Sequence, residues 1–139
     1  MRPLTIMLVE DNGADVLLVR EALKQYGVQH ELIVVQDGEE AIRCVSNLGE
    51  NGCEKCPDLL LLDLNLPKAD GVEILREFRN HKGCSDTQVI VVTSSNSPRD
   101  RARTAALGVN HFFTKPADLN EFMKLGFLVQ EVSHSIRTH

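Results

Sequence analysis

The sequence predicts an open α/β sandwich, a five-stranded parallel sheet with helices on both faces. Three observations carry this. Five short apolar runs alternate with stretches of helical periodicity along the chain. The third run, DLLLLDL at residues 58–64, is almost continuously apolar, as a strand buried on both faces must be. Helix-start signals also recur between the runs: Asp37 is followed three residues later by Glu40, and Asp70 by Glu73.

Residues 4–10 (LTIMLVE) read as the first strand, and residues 14–26 as a helix with Ala14, Leu17, Leu18 and Ala22 on one side. Residues 31–36 form the second strand. Beyond Asp37, the residues Ala41, Ile42, Val45 and Leu48 follow at helical spacing. The stretch 49–56 holds two glycines and two cysteines and reads as a loop. After the third strand, Ile74, Leu75 and Phe78 line the helix that Asp70 opens. QVIVVT at residues 88–93 is short and β-branched, hence the fourth strand. Ser97-Pro98 supplies a cap and a first-turn proline ahead of a helix at 101–107, which Gly108 stops. Residues 109–114 are the fifth strand, and a last helix opens at Pro116. No internal repeat interrupts the pattern.

A chain of 139 residues, 42% hydrophobic and 25% charged, suits one folded domain with its core over residues 4–134 and no output domain. Lys and Arg number 15 against 20 Asp and Glu, a net charge of −5 without a basic cluster, which speaks against nucleic-acid binding. No apolar run approaches the ~20 residues of a membrane span. The N-terminus leads directly into a strand, with no signal-peptide pattern. A cytoplasmic protein with no membrane contact is the expectation.

The unusual polar residues collect at strand ends. Glu10 and Asp11 close the first strand, Asp63 the third, Thr93 and Ser94 the fourth, and Lys115 the fifth. Open α/β sheets place their sites at the carboxyl ends of the strands, so residues more than a hundred positions apart converge on one crevice. Any one of them alone would read as a turn or cap residue; the register of the whole set is the signal. Glu10, Asp11 and Asp63 would repel one another unless a hard cation such as Mg²⁺ joined them. Asp63 is then a nucleophile toward phosphorus, giving an aspartyl-phosphate. Mg²⁺ and Lys115 would stabilise charge on the transferring group.

With these residues in place, the chain resembles the response-regulator receiver domain of the CheY-like family. The likeness covers residues 4–134 and rests on VEDN at 9–12, LLLLDLNLPKADG at 59–71, VVTSS at 91–95 and TKP at 114–116. Thr93 lies 30 residues and Lys115 52 residues beyond Asp63, as the family pattern requires. The resemblance implies a flavodoxin-like sheet of order 2-1-3-4-5. It makes Asp63 the phosphoacceptor and Asp11 the main acidic Mg²⁺ ligand, with Glu10 assisting through water. The backbone carbonyl of Asn65 completes the metal shell. Thr93 becomes the switch hydroxyl, Lys115 the family lysine and Phe112 the aromatic switch, and Lys115-Pro116 a cis peptide. Phe112 also fits a plain core position.

VEDN, ADV at 14–16, REAL at 20–23 and the phrasing around Asp63 are similar to small stand-alone regulators paired with bacterial phytochromes. Gly13 departs from the proline of that group, and the cysteine-bearing loop is long. The resemblance implies a protein that is not an enzyme on a separate substrate. It takes a phosphoryl group from a histidine kinase, assists its own dephosphorylation, and signals by changing contacts.

In the last helix Leu119, Phe122, Met123, Val129 and Ile136 can face the sheet, leaving Leu125, Leu128 and Val132 as a partly exposed second row. That row suggests a homodimer or docking face built from the fourth helix, fifth strand and fifth helix. The alternative is that these side chains tuck under the C-terminal tail.

Four cysteines, Cys44, Cys53, Cys56 and Cys84, read first as thiols in a reducing compartment. Cys53-Glu-Lys-Cys56 and His81-Lys-Gly-Cys84 share a spacing that turns two ligands toward one ion, so a Cys₃His zinc site or a redox pair is also open. Their loops precede the third and fourth strands, opposite the acidic site.

Two rival functions remain. A receiver fold can serve as a phosphate-independent docking module, against which the full set of Asp11, Asp63, Thr93 and Lys115 argues. An aspartyl-phosphate hydrolase would carry its nucleophile after the first strand, and a flavin carrier would want aromatic stacking partners. The chain has no Trp and one Tyr.

Overall fold

The computed structural model describes residues 3–47, 56–67, 69–109 and 111–137. Five strands alternate with helices: β1 (Leu4–Val9), α1 (Gly13–Gln25), β2 (His30–Val35), α2 (Gly38–Ser46), β3 (Leu59–Leu62), α3 (Gly71–Asn80), β4 (Gln88–Thr93), α4 (Pro98–Ala105), β5 (His111–Thr114), α5 (Leu119–Phe122) and α6 (Lys124–Arg137). A 3₁₀ turn at Lys82–Cys84 joins α3 to β4. All pairings are parallel, in the order β2-β1-β3-β4-β5. The expected fold class is the one observed.

The period-2 alternation of the strands divides the core. Leu4, Ile6 and Leu8 of β1, with Leu59, Leu61, Ile90 and Val92, pack against α1 and α6. Met7, Val9, Leu60, Leu62, Val89 and Val91 pack against α2 and α3 on the other face. All four residues of β3 are fully buried, which is why that segment carries no polar alternation. Asp37 Oδ1 accepts from the amides of Glu39 and Glu40, and Asp70 Oδ1 from that of Val72, as the capping spacings predict.

Three expectations are corrected. In α1 the buried face is Val16, Val19, Ala22 and Leu23, while Leu17 is 67% exposed. Both sets are helical stripes; contact with α6 selects between them. At the C-terminus the helix starts at the Asp118 cap, whose Oδ1 accepts from the amides of Asn120 and Glu121, and it is interrupted at Met123. Leu125 and Val132 lie in the core with Val129, and Leu128 packs partly buried beside them, so the proposed second row does not exist. The exposed apolar side chains are Leu119 and Phe127 instead. The reason is a close approach at Gly126, where a Cβ would fall on the Ala22 carbonyl oxygen, and this sets the rotation of α6. Finally, no cis peptide occurs among the described residues, so Lys115–Pro116 is trans. Leu48 and Cys53 lie outside the described residues. No helix among the described residues is long and apolar enough to cross a membrane.

Candidate functional site

In-register pairing brings the strand ends together. Val9 pairs with Leu62 and Leu62 with Val91, and Thr93 pairs with Thr114 at the far edge. The residue after each of β1, β3 and β5 therefore projects from the same rim: Glu10, Asp63 and Lys115. The Asp63 amide donates to the Val9 carbonyl and the Lys115 amide to that of Thr93, which pins both residues as the strands end. Gly71 completes this corner, because a Cβ there would meet Leu64 Cα at 2.5 Å and the Asp63 carbonyl oxygen at 2.8 Å.

Lys115 Nζ is the hub. It donates to Glu10 Oε1 at 2.6 Å, Asp15 Oδ2 at 2.8 Å and Asp63 Oδ2 at 3.1 Å. The other Asp63 oxygen, Oδ1, accepts from the Asn65 amide at 3.0 Å, which orients the carboxylate. Burial alone would lower the lysine's pKa. The hydrogen bonds to Asp15 and Glu10, with the charges of Glu10 and Asp63, outweigh it and hold the ammonium well above the ordinary lysine range. Glu10 is 1% exposed, and its burial pushes the carboxyl up to about 7 against the pull of Lys115, with the Asp63 charge adding to the rise. One ammonium cannot neutralise this many carboxylates out of water.

A hard cation fits that imbalance. Glu10, Asp11 and Asp63 each present a carboxylate oxygen within 4.8 Å of the others, and Asp11 is exposed at the mouth. An all-oxygen acidic set of this kind is the donor chemistry Mg²⁺ or Mn²⁺ takes.

Across from the acids, Thr93 is fully buried and its Oγ1 accepts from Asn65 Nδ2 and from the Ser95 amide, both at 3.2 Å. Phe112 lies one strand over, partly buried against the α2–α3 side of the sheet. The Arg101 guanidinium sits 4.3 Å above its ring centroid. Sequence reasoning thus placed Glu10, Asp11, Asp63, Asn65, Thr93 and Lys115 in one crevice, and they are there. It missed Asp15, which lies in the first turn of α1, just beyond the loop that carries Glu10 and Asp11. Cys56, His81 and Cys84 meet at the opposite end of the sheet, and Cys56 and Cys84 are joined by a disulfide rather than being two thiols.

A doubly wound sheet with an acidic pocket, a buried hydroxyl and a lysine at its carboxyl edge defines a receiver-type site. The chain belongs to the response regulator receiver domain family, which residues 6–125 match. It is 40% identical to the response regulator Rcp1 of Synechocystis sp. over 123 residues, covering 88% of this chain and 84% of Rcp1. The crystal structure of the phosphorylated cyanobacterial phytochrome response regulator RcpA matches with a TM-score of 0.80 at 39% identity, covering 93% of this chain and 92% of that one. The Mn²⁺-bound form of Rcp1 matches with a TM-score of 0.81 at 38% identity, covering 93% of each chain.

Proposed function

We propose that this chain is a two-component response regulator. It accepts a phosphoryl group on Asp63 from a histidine kinase of the phytochrome type. The observation that carries this is the placement of Asp63, with one carboxylate oxygen held by the Asn65 amide and the other at Lys115 Nζ, beside the acidic cluster. Likeness to the cyanobacterial phytochrome response regulator RcpA supports the phytochrome connection.

In the proposed reaction an Asp63 carboxylate oxygen attacks phosphorus, the phosphorus–nitrogen bond of a phosphohistidine breaks, and the imidazole leaves. Mg²⁺, held by Asp11 and Asp63 with Glu10 through water and the Asn65 carbonyl, would offset charge on the transferring oxygens. Lys115 moves from the Asp63 carboxylate to a phosphoryl oxygen. Thr93 can donate its hydroxyl proton to another, since its lone pairs already accept from Asn65 and Ser95. Movement of Thr93 frees space toward Phe112, whose ring turns inward from under Arg101. The surface of α4, β5 and α5 then changes, and the signal passes by contact, including a homodimer through that face. Leu119, 63% exposed on α5, is its apolar point. Asn65 and Ser95 flank the approach of hydrolytic water and set the lifetime of the phosphorylated state.

Intact mass after acetyl phosphate treatment, with and without Mg²⁺, on the wild type and Asp63→Asn, tests the chemistry. Sizing the same samples tests association. One phosphoryl adduct requiring both Mg²⁺ and Asp63 is expected. A folded, Mg²⁺-binding protein with no adduct overturns this reading in favour of a phosphate-independent docking module.

A further inference from the structure

At the amino ends of β3 and β4, far from Asp63, Cys56, His81 and Cys84 form a second cluster of coordinating groups. His81 Nδ1 lies 3.7 Å from Cys56 Sγ and 3.8 Å from Cys84 Sγ, and the sulfurs are joined as a disulfide. From the metal–ligand lengths of a tetrahedral zinc site, nitrogen–sulfur edges of about 3.6 Å are expected. Two edges of a coordination tetrahedron are therefore already in place, and the disulfide closes the third. His81 Nδ1 accepts from the Gly83 amide at 3.3 Å, a bond its lone pair exchanges for the ion on loading.

The three groups are held together by more than the disulfide. Cys84 sits in the 3₁₀ turn, where its amide donates to the His81 carbonyl at 3.0 Å. Arg79 Nη1 donates to the carbonyls of Cys84, Ser85 and Thr87. Thr87 Oγ1 donates to the Pro57 carbonyl at 2.9 Å and ties the Cys56 segment to the lead-in of β4. Gly83 lies close against the cluster, where a Cβ would stand 3.3 Å from Cys56 Sγ. Reduction would thus leave two thiols and an imidazole still facing one point. Cys56 and Gly83 also line an open cleft, which gives an ion a path from solvent.

We propose that Cys56, His81 and Cys84 are a thiol-gated zinc site: the dithiol holds Zn²⁺ with the histidine and a water, and the disulfide excludes it. On loading, the two thiols release two protons and their sulfurs bind the ion, giving a site with no net charge. On oxidation by a peroxide, the two thiolates give two electrons to the O–O bond. The disulfide forms, two protons and one hydrogen peroxide become two waters, and Zn²⁺ leaves. This site is independent of phosphorylation at Asp63.

The test is Co²⁺ and Zn²⁺ titration of the full chain, metal-stripped and reduced with a phosphine under anaerobic conditions, beside the oxidised protein. The reduced protein is expected to bind one equivalent of Co²⁺ with thiolate-to-cobalt charge transfer and tetrahedral d–d bands, and Zn²⁺ displaces it. The oxidised protein binds none, and hydrogen peroxide releases one equivalent of zinc. His81→Ala and Cys84→Ser, checked for fold by circular dichroism, are expected to lose saturable binding. Because Cys84 is fully buried, the partly exposed His81 provides the variant least able to disturb the fold. Absence of binding in the reduced wild type, or binding that survives both substitutions, overturns the proposal.

Discussion

Asn65 Nδ2 donates to Thr93 Oγ1 over 3.2 Å, linking the loop that follows the acceptor aspartate to the end of β4. Thr93→Ala is expected to leave Asp63 able to take a phosphoryl group from acetyl phosphate. It should abolish the change in amide hydrogen exchange that phosphorylation produces in α4 and β5. A Thr93→Ala protein whose β5 responds like the wild type would show that the hydroxyl does not transmit the signal.

Lys115 serves three carboxylates at once, and its side chain is 11% exposed beside the buried Glu10 and Asp63. Removing it strands their charge, so Lys115→Ala should cost about 3 kcal/mol of stability in EDTA. A cation then becomes the main source of neutralisation. Mg²⁺ should therefore raise the urea midpoint of the variant more than that of the wild type. Equal shifts would mean that lysine and cation do not share the same carboxylates.

Burial alone would raise the pKa of the Asp70 carboxyl, but the Val72 amide and the Arg103 guanidinium, 2.9 Å away, hold it below its ordinary value. The unfolded chain then binds the proton more tightly. The stabilisation is complete above the unfolded value of about 3.9 and is lost as pH falls through the lower folded value. Asp70→Ala should cost about 1 kcal/mol at neutral pH through loss of the cap. Urea unfolding should show that deficit narrowing below pH ~4; a constant deficit would assign it to packing.

Two glycines give opposite expectations. Gly126→Ala drives a methyl into the Ala22 carbonyl and the Tyr26 ring, and should destabilise by about 2 kcal/mol despite its better helix propensity. Gly13, at the start of α1, has nothing within 4 Å of a built Cβ, so Gly13→Ala should stabilise by about 0.5 kcal/mol. Thermal melts of both variants check the pair, and a neutral Gly126→Ala would show that α6 can slide on α1.

The strand set, its parallel sense and the site rim were legible in the residues themselves, while the strand order followed from the family resemblance. A strand's side-chain period is two, and parallel pairing puts every carboxyl end on one edge. Once DLLLLDL is a doubly buried strand, Asp63 has to lie at its carboxyl end, on the same rim as Glu10, and Lys115 follows from the fifth strand by the same rule. Cap residues such as Asp37 and Asp70 were readable because they act within three residues of themselves.

Helix rotation was decided elsewhere. Leu17 and Val19 are comparable apolar choices in the sequence, and so are Leu119 and Leu125; burial of Val19 and Leu125 depends on α1 meeting α6 at Ala22 and Gly126. The recruitment of Asp15 by Lys115 follows from that same rotation. Arg79 of α3 donates to five carbonyls across the lead-ins to β4 and β5, contacts that no local pattern specifies. Whether Cys53 or Cys56 meets Cys84 was likewise open, because spacing fixes a loop's shape but not its neighbour. The sequence by itself determined what is periodic or local, namely the strands, the caps and the edge where the chemistry collects. Tertiary packing decided what depends on how two helices turn against each other and which loops touch, since those energies arise only between segments distant in the chain.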